Sequence, residues 1–151
     1  MFSIGAFAII FDECERVLLC HRRDLNLWNL PGGGVESGEL PNEAVVREVE
    51  EETGLEVVIE RLVGVYGKVY KRDELVFSFV CRVVGGELML TDEADECKYF
   101  AINDIPVDTI PKHVERILDA LAAPGKDDAQ PIFRREFSVS TKEWTQQLKS
   151  S

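Results

Sequence analysis

The chain has 151 residues, 45% of them hydrophobic and 30% charged, and a net charge of −11. That length is most simply one domain with room for a sizeable core, and the composition excludes a disordered chain. Twenty-eight acidic residues against seventeen basic ones exclude broad contact with nucleic acid or an anionic membrane, so an anionic small-molecule substrate would need a local source of cations.

The N-terminal run "MFSIGAFAIIF" is apolar but has no basic residues ahead of it and soon meets Asp12 and Glu13. It is too short to span a bilayer and lacks a signal-peptide layout, so it reads as a buried strand over 3–11 in a cytoplasmic protein. A second strand is expected at 16–21. Cys14, Cys20, Cys81 and Cys97 are scattered without a Cys-x-x-Cys, which offers neither a zinc site nor a disulfide framework. Reduced and mostly buried thiols are expected. "NLPGGGVESGELPNE" is so rich in glycine and proline that regular structure is not expected before residue 40. From Leu40 to Thr53 the pattern is helical, with Pro41 in the first turn and Gly54 as the stop.

Strand-like segments follow at 55–67, 74–84 and 96–102, with "GGEL" at 85–88 read as a turn. Residues 111–123 place Val114, Ile117, Leu118 and Leu121 at helical spacing, predicting an amphipathic helix packed on a sheet through that stripe. Residues 123–131 read as a linker. Beyond it come a strand-like "FRREFSV" and a capping signal, Ser140-x-x-Glu143, before Trp144. The order of strands and helices indicates an α+β or mixed α/β domain with helices covering a sheet.

The helix over 40–53 concentrates Glu48, Glu50, Glu51 and Glu52, where like charges repel. At ~100° per residue, Glu48, Glu51 and Glu52 share one arc beside the apolar stripe of Val45, Val46 and Val49, while Glu50 points to solvent. A solvated acidic face is one reading. The other is a site for a cation, and magnesium, a hard ion that takes oxygen ligands, suits carboxylates so placed. The glycine segment carries neither a P-loop nor a dinucleotide fingerprint.

Residues 33–55, "GGVESGELPNEAVVREVEEETGL", resemble the signature of the Nudix hydrolase family, G-x5-E-x7-R-E-U-x-E-E-x-G-U with U a bulky aliphatic. Gly33, Glu39, Arg47, Glu48, Val49, Glu51, Glu52, Gly54 and Leu55 fill every specified position. The resemblance extends through "LWNLPGG" before this box and "KYF" after it. It implies a mixed β-sheet sandwiched between α-helices over residues 1–123, leaving 124–151 as an extension packed on the same domain or on a partner. It implies hydrolysis of a small-molecule nucleoside diphosphate linked to another moiety, such as a nucleoside triphosphate, an oxidised nucleotide, ADP-ribose, a nucleotide sugar or a dinucleoside polyphosphate. Many members of the family dimerise, so a homodimer is an expected assembly.

Carried over residue by residue, the resemblance implies that Glu48, Glu51 and Glu52 bind Mg2+ (Mn2+ as a substitute), helped by the Gly32 carbonyl. Glu39 and Arg47 would brace the loop against the helix, Arg47 from the flank of the acidic arc. The base that activates water is Glu48 or an acid of the loop at 92–96, where Glu93 is preferred by its offset from Tyr99. Arg22 and Arg23 follow a strand and could reach phosphate. Trp28 belongs to the core or to the mouth of a base pocket. Tyr66 and Tyr70 occupy positions where members of the family recognise the base or the other moiety, beside a basic island of Lys68, Lys71 and Arg72. His21 and His113 are expected to be structural or exposed. A non-catalytic nucleotide sensor or protein-interaction domain of the same fold is the alternative, against which the intact box argues.

Overall fold

The computed structural model of the protein describes residues 2–68, 73–89, 91–92, 94–122 and 129–136, with the backbone alone at residue 68. The strands β1 (Ser3–Ile10) and β2 (Val17–Arg22) arise from the first two apolar runs. They are followed by β3 (Leu27–Asn29), β4 (Gly32–Gly34), α1 (Pro41–Thr53), β5 (Leu55–Lys68), β6 (Glu74–Gly86), β7 (Glu96–Phe100), a 3-10 turn at Ile102–Asp104, α2 (Pro111–Ala122) and β8 (Ile132–Arg135). Five strands form a mixed sheet in the order β4-β1-β6-β5-β8, and three form a second sheet in the order β3-β2-β7. The arrangement is α+β, with a helix on each side.

Period-two alternation shows why both faces need a cover. Along β1, Ala6, Ala8 and Ile10 enter one core with Ala44, Val45 and Val49 of α1. Ile9 enters the other, with Ile117 and Ala120 of α2. On β2, Leu18 faces α1 while Val17 and Leu19 face α2. Strands buried on both faces read as near-continuous apolar runs, which is how these two appear in the sequence.

Three local expectations are corrected. The glycine segment is not irregular throughout: β3 pairs antiparallel with β2, and β4 pairs antiparallel with β1. Glycine is what permits the second pairing, because a Cβ on Gly32 would lie 2.7 Å from the Phe7 Cα. Gly85 and Gly86 are not a turn; they extend β6 opposite Glu56 and Leu55. The buried face of α2 is His113, Arg116, Ile117 and Ala120, while Leu118 and Leu121 of the expected stripe are exposed. The stripe is rotated because Arg116 is buried with an acidic partner, which a scan for apolar spacing cannot anticipate.

The segment beyond α2 supplies β8, which pairs in parallel with residues 64–67 of β5. The capping signal at Ser140 and Glu143, and Trp144, lie outside the described residues. No helix among the described residues is long and apolar enough to cross a membrane.

Candidate active site

The helix α1 is anchored at both ends. The Glu43 carboxylate accepts the Leu40 backbone N–H at 2.9 Å, and Gly54 adopts a left-handed conformation (φ 81°) whose N–H reaches the Glu50 carbonyl. Thr53, fully buried, donates to the Val49 carbonyl at 2.6 Å and accepts from the Leu55 N–H at 3.1 Å, fixing the exit into β5. Burial of Ala44, Val45 and Val49 then sets the rotation of the helix, with each valine contributing about 1.5–3 kcal/mol. The opposite border carries the glutamates.

Arg47 is the hub of that border. Its Nε donates to Glu39 Oε2 at 2.7 Å and its Nη2 to Glu39 Oε1 at 3.0 Å, a bidentate pair. Nη1 donates to Glu48 Oε1 and to Glu51 Oε2, both at 3.1 Å, and Nη2 reaches the Gly34 carbonyl at 3.2 Å. One guanidinium therefore ties the loop after β4 to two successive acids of the helix. Arg47, and the Glu36 backbone N–H after it, hold the Glu39 carboxyl at about 2. Glu39 in turn is the main reason that proton loss from Arg47 is pushed above its ordinary range.

Gly33 sits against the same carboxylate. A Cβ there would lie 2.8 Å from Glu48 Oε1, so a larger residue would displace that carboxylate from its present position. The Gly32 N–H donates to Glu52 Oε2 at 3.2 Å. Glu48 and Glu52, one turn apart, line one end of a cavity of about 880 Å3, with Gly32, Gly33 and Asp92 beside them. Glu51 is on the far side of Arg47 and is not part of that lining.

The sequence expected Glu48, Glu51 and Glu52 to converge on a cation. Among the described residues no three His, Cys, Asp or Glu side chains are so arranged. Glu48 and Glu51 are turned toward Arg47 instead, and this guanidinium relieves their mutual repulsion. The donor set still fits a hard divalent ion: Glu48 and Glu52 offer carboxylate oxygens on successive turns at an open cavity, and the Cys20 thiol in the same wall is held protonated by its raised pKa.

Arg22 and Arg23 both line the cavity. Arg22 is paired with Asp24 at 2.6 Å and Arg23 with Asp95 at 3.4 Å. Asp95 also meets His21 Nδ1 at 2.7 Å, and that bond is the first reason its carboxyl is held low. Trp28 is not part of the lining; it packs edge-on against Phe100 and His21 at 5.0 and 5.1 Å. Tyr66 lies in the cavity wall, fully buried. Tyr70, Glu93, Lys71, Arg72 and the Lys68 side chain lie outside the described residues.

Several wall residues were not singled out by sequence. Asn29, Lys112, Arg116 and Glu136 are such residues of the cavity lining, and His113, expected to be structural or exposed, lines it with them. His113 is buried, and its Nδ1 accepts the Leu30 N–H at 2.9 Å, which fixes the neutral tautomer with the proton on Nε2. Burial first, then the charges of Arg116, Lys112 and Arg22, push its protonation well below the ordinary range. The ring thus ties α2 to the backbone just ahead of Gly32 and Gly33.

The four thiols are free, with Cys14 exposed and Cys97 half-buried. Cys20 and Cys97, opposite one another on β2 and β7, come within 2.9 Å. The Cys97 contact and burial both raise the Cys20 thiol above its usual range.

Comparison with known proteins places this geometry in context. The family model described as "NUDIX domain" matches residues 1–121. A Bacillus subtilis protein named "Putative 8-oxo-dGTP diphosphatase" is 36% identical over 120 residues, covering 79% of this chain and 80% of its own length. An "ADP-ribose pyrophosphatase" of Methanocaldococcus jannaschii is 39% identical over 103 residues, covering 64% of this chain and 61% of its own. Among solved structures, an ADP-ribose pyrophosphatase from Streptococcus suis superimposes with a TM-score of 0.69 at 26% identity, covering 89% of this chain and 98% of that one.

Proposed function

Since the chain belongs to the Nudix family of hydrolases acting on phosphoanhydride bonds, we propose that it cleaves a nucleoside diphosphate linked to another moiety, with Mg2+ as the cation. The observation that carries this reading is the pairing of opposite charges in one cavity. Glu48 and Glu52 line it together with Arg22, Arg23 and Lys112, and Asp24, Glu74, Asp92 and Asp95 line it too. Arg22 and Arg23 are held by Asp24 and Asp95, so a divalent ion on the glutamates is what would let this acidic cavity take a polyphosphate.

Glu48 and Glu52, with the Gly32 carbonyl and with Glu51 once it turns from Arg47, would hold the divalent ion, which supplies charge neutralisation at the phosphoryl oxygens and a lowered proton affinity for bound water. Glu48 spends Oε1 on Arg47, so its Oε2 would either bind the ion or take the proton of the attacking water, not both. Glu93, in the loop beside Asp92, is the second candidate for that role. Arg47 is a positioning residue that holds Glu48 and Glu51 against the Glu39 loop. Arg22 and Arg23 would meet the leaving phosphate. The relatives named for 8-oxo-dGTP and ADP-ribose make an oxidised nucleotide and ADP-ribose the first substrates to try.

The test is hydrolysis of a panel of nucleoside triphosphates, oxidised deoxynucleotides, ADP-ribose, nucleotide sugars and diadenosine polyphosphates, with Mg2+ and with Mn2+, following products in 18O water. Turnover that is lost in EDTA and restored by Mg2+ is expected. Tight binding without turnover across the panel would favour the nucleotide sensor instead.

A further inference from the structure

Away from the glutamates, the cavity wall holds a buried ion pair that hydrolysis does not require. Arg116 of α2 and Glu136, the residue after β8, have side chains 3% and 5% exposed, and Nη2 meets Oε1 at 2.7 Å. The contact is single where the two groups could make a double one. Arg116 Nε and Glu136 Oε2 are buried without a hydrogen-bond partner, and so is Asn29 Oδ1. A buried unsatisfied polar atom costs about 1–3 kcal/mol, and native interiors hold few of them. The three residues that carry these atoms line one cavity.

Stability does not explain the pair. Apolar side chains of similar volume generally serve a protein interior as well as a buried ion pair does. The pair is nonetheless held firmly. The Glu136 N–H donates to the Gly67 carbonyl at 2.8 Å, prolonging the β8–β5 ladder. The Arg116 guanidinium lies over the Tyr66 ring at 5.0 Å. The Tyr66 hydroxyl donates to Asp119 at 2.9 Å, and Asp119 is gripped by Arg134 at 2.7 Å. A donor and an acceptor without partners are therefore held on two residues that are bonded to one another in this wall.

We propose that Arg116 and Glu136 determine specificity by reading the edge of the substrate's nucleobase: a base N–H donates to Glu136 Oε2, and the adjacent carbonyl or ring nitrogen accepts from Arg116 Nε. This rests on the nucleotide reading above and adds which residues select the base. Phe7, Val76 and Ile110 line the same cavity and supply apolar surface for a planar ring. The volume, about 880 Å3, is within the range of small-molecule sites. A paired donor and acceptor is the pattern that discriminates bases, because a mismatched edge leaves both protein groups unpaired. The family match ends at residue 121, so Glu136 comes from the part of the chain that the match does not describe.

The experiment has a binding arm and a kinetic arm. In EDTA, calorimetry compares guanosine, adenosine, cytidine and uridine monophosphates with ribose 5-phosphate on the full chain. At least one nucleoside monophosphate should bind about tenfold or more tighter than ribose 5-phosphate, with a spread among bases. Glu136→Gln should narrow that spread to within about threefold and raise KM for the best substrate about tenfold, with kcat nearly unchanged. The double variant Arg116→Met/Glu136→Leu keeps the volume filled and should abolish the spread while its thermal midpoint stays close to the parent's. Equal affinity for ribose 5-phosphate and every monophosphate, or an unchanged spread in the folded double variant, overturns the assignment and leaves water as the partner of the unpaired atoms. Because the binding arm needs no turnover, it decides this point even if the hydrolysis panel is negative.

Discussion

Arg47 and Arg116 are both held by glutamates, and the protein uses them in opposite regimes. Arg47, a quarter exposed, donates to Glu39, Glu48, Glu51 and the Gly34 carbonyl. Arg116, almost wholly buried, makes one ionic contact and leaves Nε unpaired. The first is a saturated brace, in which every donor direction is spent on fixing carboxylates. The second is an unsaturated one, in which binding capacity is held in reserve inside a cavity wall. Saturation suits positioning, and reserve suits recognition.

The acidic end breaks most sharply at Glu52. Glu52→Gln keeps an oxygen for the Gly32 N–H but removes the charge that a divalent ion needs. Turnover should fall by at least about 10²-fold, with the thermal midpoint within a few degrees of the parent's. Full activity at matched metal concentration would remove Glu52 from the site. The buried end should respond through stability instead. Arg116→Met alone strands Glu136 as an unpaired buried charge, and about 3–5 kcal/mol should be lost in urea unfolding. Adding Glu136→Leu should recover most of it. Arg47→Gln is expected to be gentler than either: a fall of about 10–100-fold in kcat/KM, as when groups supporting a metal ligand are removed. If activity survives this change intact, Arg47 does not position Glu48.

A fourth measurement concerns the hinge between the two ends, where His113 accepts the Leu30 N–H. Its protonation is suppressed in the folded chain, while an unfolded histidine takes up a proton near pH 6.5. Below that pH the unfolded state binds the extra proton and the native state does not. Stability should therefore be intact above about pH 6.5 and fall by up to about 1.4 kcal/mol per pH unit beneath it, until the native pKa is reached. Thermal midpoints between pH 7.5 and pH 5 read this slope. His113→Gln offers a neutral acceptor to the same N–H and should flatten it.

The contrast between the arginines also explains what the sequence could reveal. Arg47 and its partners Glu48 and Glu51 lie within one turn, and Glu39 is only eight residues away, so helical spacing brings them together on paper. Glu136 is twenty residues from Arg116 in the sequence, and no periodicity announces their meeting. The same gap hides part of the buried face of α2: apolar spacing points to Val114, Ile117, Leu118 and Leu121, while the buried residues are His113, Arg116, Ile117 and Ala120. Cys20 and Cys97 likewise meet only because β2 and β7 are neighbours. The glycine run misled in the other direction, since its composition signals permissiveness rather than the extended pairing that close packing on β1 imposes.

Glu50 gives the smallest effect and the cleanest control on the saturated brace. It is exposed, lies in the last turn of α1 and has no basic neighbour in that turn. A carboxylate there opposes the negative end of the helix dipole, and a lysine would complement it. Arg47 is already committed to Glu39, Glu48 and Glu51, so removing Glu50 takes no partner from it. Glu50→Lys should therefore raise stability by about 0.3–1 kcal/mol, a shift of up to about 4 °C in the thermal midpoint for a chain of this size. Turnover should change less than about twofold, because the altered charge is well screened at physiological salt. A loss comparable to that of Arg47→Gln would mean that the whole acidic helix, not the arc of Glu48, Glu51 and Glu52 alone, sets the electrostatics of the reaction.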